Sequence, residues 1–257
     1  SPPRWAAMAR TVALPRAQPG WAYFLDVDGT LIEFADKPGD VHVDDALLGL
    51  LARLHHACGG ALALVSGRTL ADLEQRLGSV RIPVAGQHGL ERRDAAGRRH
   101  VHATPPAAKR ELRERLDALV ARHPGLLLED KGLTLALHYR QTPSLAAWLH
   151  RLLADWVAGN EALQLQKGKW VLEIKPAGFD KGSAIAEFLA EAPFCGRTPV
   201  FIGDDVTDES GFARVNLLGG YSIKVGLGRT AARYRLPDVN AVRGWLVGAL
   251  QAQGENR

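Results

Sequence analysis

The sequence has no apolar run approaching the roughly 20 residues that a membrane-crossing helix requires, so no membrane partner is expected. It is poor in cysteine, with only Cys58 and Cys195 in 257 residues. The two match no metal-ligand spacing and are too few for the disulfide framework of a small secreted domain, so both are expected as reduced thiols. There is no dense block of lysine or arginine. The 32 basic residues, mostly Arg, are scattered among 28 acidic ones, for a formal net charge of +4. That pattern lacks a nucleic-acid surface but suits a small anionic substrate. Internal repeats and low-complexity tracts are absent. The first part of the chain holds Pro2, Pro3, Pro15 and Pro19 but no continuous hydrophobic stretch of the signal-peptide kind. Residues 1–20 are therefore read as an N-terminal tail, and the protein is expected in the cytoplasm.

What the chain does have is the composition of a globular protein, with 46% hydrophobic and 23% charged residues. Its length allows one large domain, or a core with a smaller domain inserted. Short apolar runs at Ala22–Leu25, Ala61–Val65, Pro199–Ile202 and Tyr221–Val225 are each bounded by polar or glycine residues. Continuous apolar runs of this kind suit parallel strands covered on both faces. Between them, Asp44–His56, Thr69–Leu77 and Lys181–Ala190 repeat leucine and other apolar residues at helical spacing. The alternation predicts an α/β fold, a doubly wound, mostly parallel sheet of Rossmann-like kind.

The middle of the chain breaks this rhythm. Helical patterns at Ala107–Arg122 and Ser144–Val157 alternate with pairs of β-like runs, Gly125–Glu129 with Leu133–Arg140 and Leu163–Gln166 with Trp170–Ile174. This α–β–β–α–β–β order predicts a compact α+β unit inserted at residues 104–177. Residues 21–103 and 178–257 then form the core. Hinges are expected near Ala103–Pro106 and Lys175–Gly178.

Three apolar runs end in polar groups: Asp26 with Asp28, then Ser66, then Asp204 with Asp205. Ligands of open α/β sheets bind outside the carboxyl ends of the strands, so parallel neighbours would bring these side chains to one edge. There, Asp26 can attack phosphorus to form an acyl phosphate. Asp28 can protonate the departing oxygen and then deprotonate water. Asp204 can complete an oxygen-rich site for Mg²⁺, whose charge offsets repulsion between nucleophile and phosphate. Ser66 and the backbone at Gly67 can bind phosphate oxygens, and Lys181, opening a helix, can hold both phosphate and nucleophile. Each signal alone has a plainer reading. Ser66-Gly-Arg68 is an ordinary turn, Asp180-Lys-Gly182 a helix entry, and the acidic run 204–209 a helix N-terminus. The Asp-x-Asp-Gly run also begins calcium loops, but Leu31 stands where such a loop needs its glycine. The ordered set is what these plainer readings fail to explain.

Taken in order, Asp26-Val-Asp28-Gly-Thr30, Ser66-Gly-Arg68, Lys181-Gly182 and Gly203-Asp204-Asp205-x-x-Asp208-Glu209 resemble the four motifs of the haloacid-dehalogenase-like phosphohydrolases. The form Gly-Asp-Asp-Val-Thr-Asp-Glu, with Gly86-Gln-His88-Gly-Leu-Glu91, is similar to the trehalose-6-phosphate phosphatases. The resemblance runs from about Trp21 to Leu250. It implies a haloacid-dehalogenase-like core with an α+β cap of the C2b type, and a Mg²⁺-dependent phosphoric monoester hydrolase of trehalose biosynthesis acting through an aspartyl-phosphate. By the same resemblance, Asp26 is the nucleophile and Asp28 the general acid/base. Asp26, the backbone carbonyl of Asp28 and Asp204 hold the metal, Asp205 or Asp208 steadies metal-bound water, and Ser66 and Lys181 bind the phosphoryl group.

Substrate contacts are expected from Gly67, Arg68, His88 and Glu91 on the core side and from Glu129, Lys131, Arg140, Lys169 and Glu173 on the cap, where polar groups would pair with sugar hydroxyls. For His88, ordering of its loop remains an equal alternative, and His138 is read as structural. The chain is expected to act as a monomer. Two alternatives share the chemistry: a phosphatase of another sugar phosphate, such as sucrose 6-phosphate, and a phosphosugar mutase. A third is a non-catalytic phosphosugar-binding regulatory module.

Overall fold

The apolar runs at the ends of the chain pair as buried strands in a computed structural model that describes residues 13–35 and 37–251. The main sheet has eight strands in the order β12-β11-β10-β1-β2-β3-β4-β5. These are β1 (Ala22–Leu25), β2 (Leu62–Val65), β3 (Val84–Gly86), β4 (Glu91–Arg93), β5 (Arg99–Val101), β10 (Pro199–Gly203), β11 (Tyr221–Val225) and β12 (Tyr234–Leu236). The pairings from β12 through to β3 are parallel; β4 and β5 extend the sheet antiparallel.

Strand residues alternate between faces, and β1 shows why its run has no polar gap. Tyr23 and Leu25 pack with leucines of α1 (Asp45–Ala57) and α2 (Leu70–Leu77) and with Val242 and Leu246 of α7 (Val239–Gln251). Ala22 and Phe24 pack on the other side with Ile185 and Phe188 of α5 (Lys181–Leu189) and Phe212 and Val215 of α6 (Glu209–Leu217). Both faces are dry, which is the condition for a continuous apolar strand.

The second sheet is antiparallel, in the order β6-β7-β9-β8, from β6 (Leu127–Asp130), β7 (Leu135–His138), β8 (Leu163–Gly168) and β9 (Val171–Pro176). One face packs Leu135, Leu137, Leu172 and Ile174 against α3 (Lys109–Arg122) and α4 (Ala146–Val157). Registry then dictates what the opposite face carries. Glu129 pairs with Ala136, Ala136 with Glu173, and Glu173 with Gln166; one step along, His138 pairs with Val171 and Val171 with Gly168. These cross-strand rows turn toward the carboxyl edge of the main sheet.

Three sequence expectations need adjustment. Residues 1–12 of the expected tail lie outside the described residues, whereas the rest of it packs on the core. Ala17 is buried there, Trp245 Nε1 donates to the Pro15 carbonyl at 2.9 Å, and Tyr23 Oη to the Gln18 carbonyl at 2.6 Å. The short β3, β4, β5 and β12 carry no periodic apolar signal and were not foreseen. Trp170, expected to open a strand, is instead the turn residue between β8 and β9, with φ of 59°.

Candidate active site

Asp26 leaves the end of β1 into a pocket of acidic charge. Its Oδ1 accepts from Lys181 Nζ at 3.0 Å, and the same ammonium donates to Asp208 Oδ1 at 2.6 Å. Lys181 is the first residue of α5, where Asp180 caps the helix by accepting from the Ser183 N–H at 2.8 Å. The cap thus fixes the point from which the lysine reaches the sheet edge. Asp208 Oδ2 accepts from the backbone N–H groups of Asp204 and Asp205, at 2.9 and 3.0 Å. Thr30 Oγ1 lies 3.4 Å from Asp26 Oδ2 and 3.5 Å from Asp204 Oδ1. Gly29, at φ of 78°, lets the loop pass here: a Cβ would fall 2.1 Å from Asp204 Oδ2.

Carboxylate oxygens of Asp26, Asp204 and Asp208 lie within 4.8 Å of one another. Burial, and then the Asp208 charge, push the Asp26 carboxyl well above its ordinary range, with Lys181 opposing. The same two causes push Asp204 up to about 7. Burial alone would lower Lys181, but Asp208 and Asp26 outweigh it and the ammonium is held more firmly than usual. One lysine side chain therefore faces three clustered carboxylates, and the remaining negative charge is what a hard cation neutralises. Asp208 has both oxygens engaged by Lys181 and the loop backbone. Asp26 and Asp204 are the better donors, and the cluster fits a divalent ion.

Several expected residues are used differently. Asp28 was expected to keep its side chain free, but Arg68 holds both of its oxygens, Nε to Oδ2 and Nη2 to Oδ1, each at 2.7 Å. Arg68 also donates to Asp72 at 3.1 Å and to the Pro38 carbonyl at 3.1 Å, so its guanidinium is engaged by the protein at the cleft wall. A half-buried carboxylate beside an acidic cluster needs such a cation. Asp205, expected near metal-bound water, accepts instead from the Lys169 N–H at 2.9 Å and the Val206 N–H at 2.7 Å. Asp208 likewise holds Lys181 and the loop. Glu91 does not line the cleft: its Oε1 accepts from the Leu70 N–H at 2.7 Å and from Gln87 Nε2 at 3.1 Å. Through these bonds it fastens the start of α2 to the Gln87 loop.

The remaining expected residues, Ser66, Gly67, His88, Glu129, Lys131, Arg140, Lys169 and Glu173, line one cleft with Asp26, Asp28, Arg68, Lys181 and Asp204. It holds about 1020 Å³ of empty space, its open mouth included, the scale of a ligand site. The second sheet closes over it through direct contacts. Lys131 Nζ donates to the Gly67 carbonyl at 3.0 Å and to Glu173 Oε1 at 2.9 Å, and His88 Nε2 meets that same oxygen at 3.1 Å. Burial alone would raise the Glu173 carboxyl, but Lys131 and His88 hold it far below the usual range. Burial lowers His88, so the neutral ring donates its Nε2 proton to Glu173. Gly67 admits this ring, because a Cβ there would come within 2.7 Å of His88 Cε1. His88 Nδ1 and Glu173 Oε2 are buried without a hydrogen-bond partner, which leaves capacity for a polyhydroxylated ligand.

Other residues at or beside the cleft were not foreseen. His138, read as structural, lines the cleft and meets Glu129 Oε1 at 3.0 Å. Lys224 Nζ donates to the Asp204 carbonyl at 2.6 Å. Gln166, Trp170 and Phe34 also line the cleft. The registry rows could have located Gln166 and His138, because they alternate with core leucines. Lys224, within a strand-like run, offered no signal.

The model of the trehalose-phosphatase family matches residues 24–240. The trehalose-6-phosphate phosphatase of Escherichia coli is 47% identical over 249 residues, covering 94% of this chain and 92% of its own. A probable trehalose-phosphate phosphatase of Sinorhizobium fredii is 44% identical, covering 87% of this chain and 85% of its own. Among solved structures, the C-terminal domain of a Candida albicans trehalose-6-phosphate phosphatase superposes with a TM-score of 0.82 at 22% identity, over 89% of this chain and 91% of that one.

Proposed function

The chain belongs to the trehalose-phosphatase family, and we propose that its site hydrolyses trehalose 6-phosphate through attack of Asp26 on phosphorus. The overall reaction releases trehalose and inorganic phosphate, on the haloacid-dehalogenase-like α/β fold. The observation that carries the assignment of residues is the convergence of Asp26, Ser66, Lys181 and Asp204 on one cleft.

In the first step a carboxylate oxygen of Asp26 forms a bond to phosphorus as the bond to the sugar oxygen breaks, giving an aspartyl-phosphate. Asp28, protonated, gives its proton to the departing sugar oxygen. In the second step Asp28 takes a proton from water, the water oxygen bonds to phosphorus, and the Asp26 carboxylate is released with inorganic phosphate. Arg68 donates to both Asp28 oxygens and must withdraw for Asp28 to reach the departing sugar oxygen. Lys181 stands against Asp26 and is positioned to draw negative charge from the phosphoryl oxygens. Ser66 supplies a hydroxyl to the same group. Mg²⁺ is the ion we assign to Asp26, Asp204 and the Asp28 backbone, and when bound it would neutralise the acidic cluster and polarise the phosphoryl group.

Residues 104–177 act as the cap in this reading, hinged near 103–106 and 175–178, with Glu129, Lys131, Arg140, Lys169, Glu173 and His88 facing the sugar. The chain acts on a small molecule, as a cytoplasmic monomer. No helix among the described residues is long and apolar enough to cross a membrane.

The test is phosphate release from trehalose 6-phosphate, sucrose 6-phosphate and glucose 6-phosphate, with Mg²⁺ and with EDTA. Trehalose 6-phosphate should be preferred by more than about tenfold, since a site built for particular hydroxyls leaves buried groups unpaired with a wrong sugar. Turnover should vanish in EDTA. It should also vanish in Asp26→Asn with the circular dichroism spectrum unchanged. Comparable turnover of all three sugars would refute the substrate, and near-normal activity of the variant would refute the nucleophile.

A further inference from the structure

Trp170 combines three features that the hydrolysis above does not use. It occupies the turn between β8 and β9 with φ of 59°, a left-handed conformation that bulky residues rarely adopt. It is a large apolar side chain left 39% exposed. And it lines the substrate cleft. A glycine or asparagine would take this turn with less strain, so the fold alone gives no reason for an indole here. Strained backbone that persists is a pointer to function.

The indole is held, not loose. The Tyr139 ring meets it edge-on, with centroids 6.2 Å apart and planes at 78°. The Tyr139 N–H donates to the Trp170 carbonyl at 2.9 Å. The preceding residue anchors the same turn to the core: the Lys169 N–H donates to Asp205 Oδ2 at 2.9 Å, and its ammonium lies 4.6 Å from the centre of the Phe34 ring. The aromatic surface is therefore positioned before any ligand arrives.

A pyranose ring has two kinds of surface. Its edge carries hydroxyls, which the polar groups of the cleft can pair. Its face carries C–H bonds and is apolar, so a polar wall gains nothing from it, whereas an aromatic face does. We propose that Trp170 is the platform on which a glucosyl ring of the substrate stacks, making it a specificity-determining residue of this site. The proposal rests on the sugar-phosphatase reading above.

The experiment compares wild type, Trp170→Asn and Trp170→Phe. Asparagine tolerates the left-handed turn but has no ring; phenylalanine keeps a smaller face. KM for trehalose 6-phosphate is measured together with the inhibition constant of inorganic phosphate, which reports on the phosphoryl site alone, and with the melting temperature. Trp170→Asn should raise KM about tenfold, the scale of one lost ring stack, with kcat and the phosphate constant within twofold and no fall in melting temperature. Trp170→Phe should recover most of the loss. An unchanged KM in Trp170→Asn would overturn the proposal, as would a parallel rise of KM and the phosphate constant, or a fall in melting temperature with KM intact. Absence of trehalose 6-phosphate turnover in the wild type would instead refute the underlying function.

Discussion

Replacing Lys181 by methionine should destabilise the protein far more than loss of an ordinary lysine. Its ammonium is 2% exposed as a residue and lies 3.0 Å from Asp26 and 2.6 Å from Asp208. At an effective dielectric of about 20, each contact has a gross Coulomb energy of roughly 6 kcal/mol. Most of this offsets the cost of burying the charges. What a truncation measures is the penalty of leaving carboxylates without their partner, about 3–5 kcal/mol for a buried pair. For a chain of this size that corresponds to a drop in melting temperature of roughly 6–20 °C. The assay is urea and thermal unfolding at neutral pH in EDTA, which keeps metal binding from masking the loss. Asp208→Asn removes the opposing charge while its amide oxygen can still accept from the Asp204 and Asp205 N–H groups. The double variant should therefore lose less than the sum of the singles by at least about 1.5 kcal/mol, the signature of direct coupling. A loss below about 1 kcal/mol in Lys181→Met, or strict additivity in the cycle, would refute the claim that this lysine is what keeps the acidic cluster folded.

Glu173 gives a pH-dependent prediction. Its folded-state pKa lies below the unfolded value, so its contribution is fully present above the ordinary glutamate range, about 4.3, and is lost as pH falls toward the depressed folded value. Glu173→Gln should cost about 3 kcal/mol between pH 5 and 8, and the gap to wild type should narrow below about pH 4; a gap that stays constant into acid contradicts this. The thiols give a simpler test. Cys195 is exposed, whereas Cys58 is buried with its thiol pushed up to about 11, mainly by burial. A thiol-specific reagent at neutral pH should therefore label one cysteine per native chain and both after unfolding, and labelling of Cys58 in the native protein would show that its end of α1 opens readily.

The parts of this fold that were legible in sequence are those where burial imposes a simple rule. Phe24 and Leu25 lie in a run with no polar gap because both faces of β1 are covered. Leu47, Leu50, Leu51 and Leu54 repeat at helical spacing because α1 buries one face. The clustered carboxylates Asp26 and Asp204 were legible because charge at the end of such a run has no structural reason. By contrast, β4 is Glu91-Arg-Arg93, an edge extension whose charged residues give no periodic signal. Arg92 is nonetheless buried, because Glu187 and Glu191 of a distant segment pair with it. The bond between Arg68 and Asp28 joins residues 40 apart, and the engagement of Glu91 with the Leu70 N–H spans 21. A side chain's type fixes what it can bind, but the partner it takes is set by tertiary packing. That is why the residues of the cleft were mostly foreseen while the use made of Asp28, Arg68, Asp205 and Glu91 was not.

The two sheets meet through groups that lie beside the proposed phosphoryl site. Lys131, on the second sheet, donates to the carbonyl of Gly67, the residue after Ser66. The Lys169 N–H donates to Asp205, whose neighbour Asp204 shares a carboxylate cluster with Asp26. Glu173 accepts from both Lys131 and His88, so one carboxylate joins the second sheet to the loop after β3. The contacts to Gly67, Asp205 and His88 each end on a loop that follows a parallel strand, so movement of the second sheet must break hydrogen bonds to the loops that carry Ser66 and Asp204. Opening the cleft to admit a sugar would therefore loosen the phosphoryl site, and closing it would restore the site. A substrate whose hydroxyls replace the Lys131 and His88 contacts of Glu173 would bring the cap down with the sugar bound in it, whereas a phosphate ester lacking those hydroxyls would leave closure to the protein's own contacts. Under the proposed mechanism, recognition of the sugar and assembly of the phosphoryl site would be one event, and residues 104–177 would govern what Asp26 attacks.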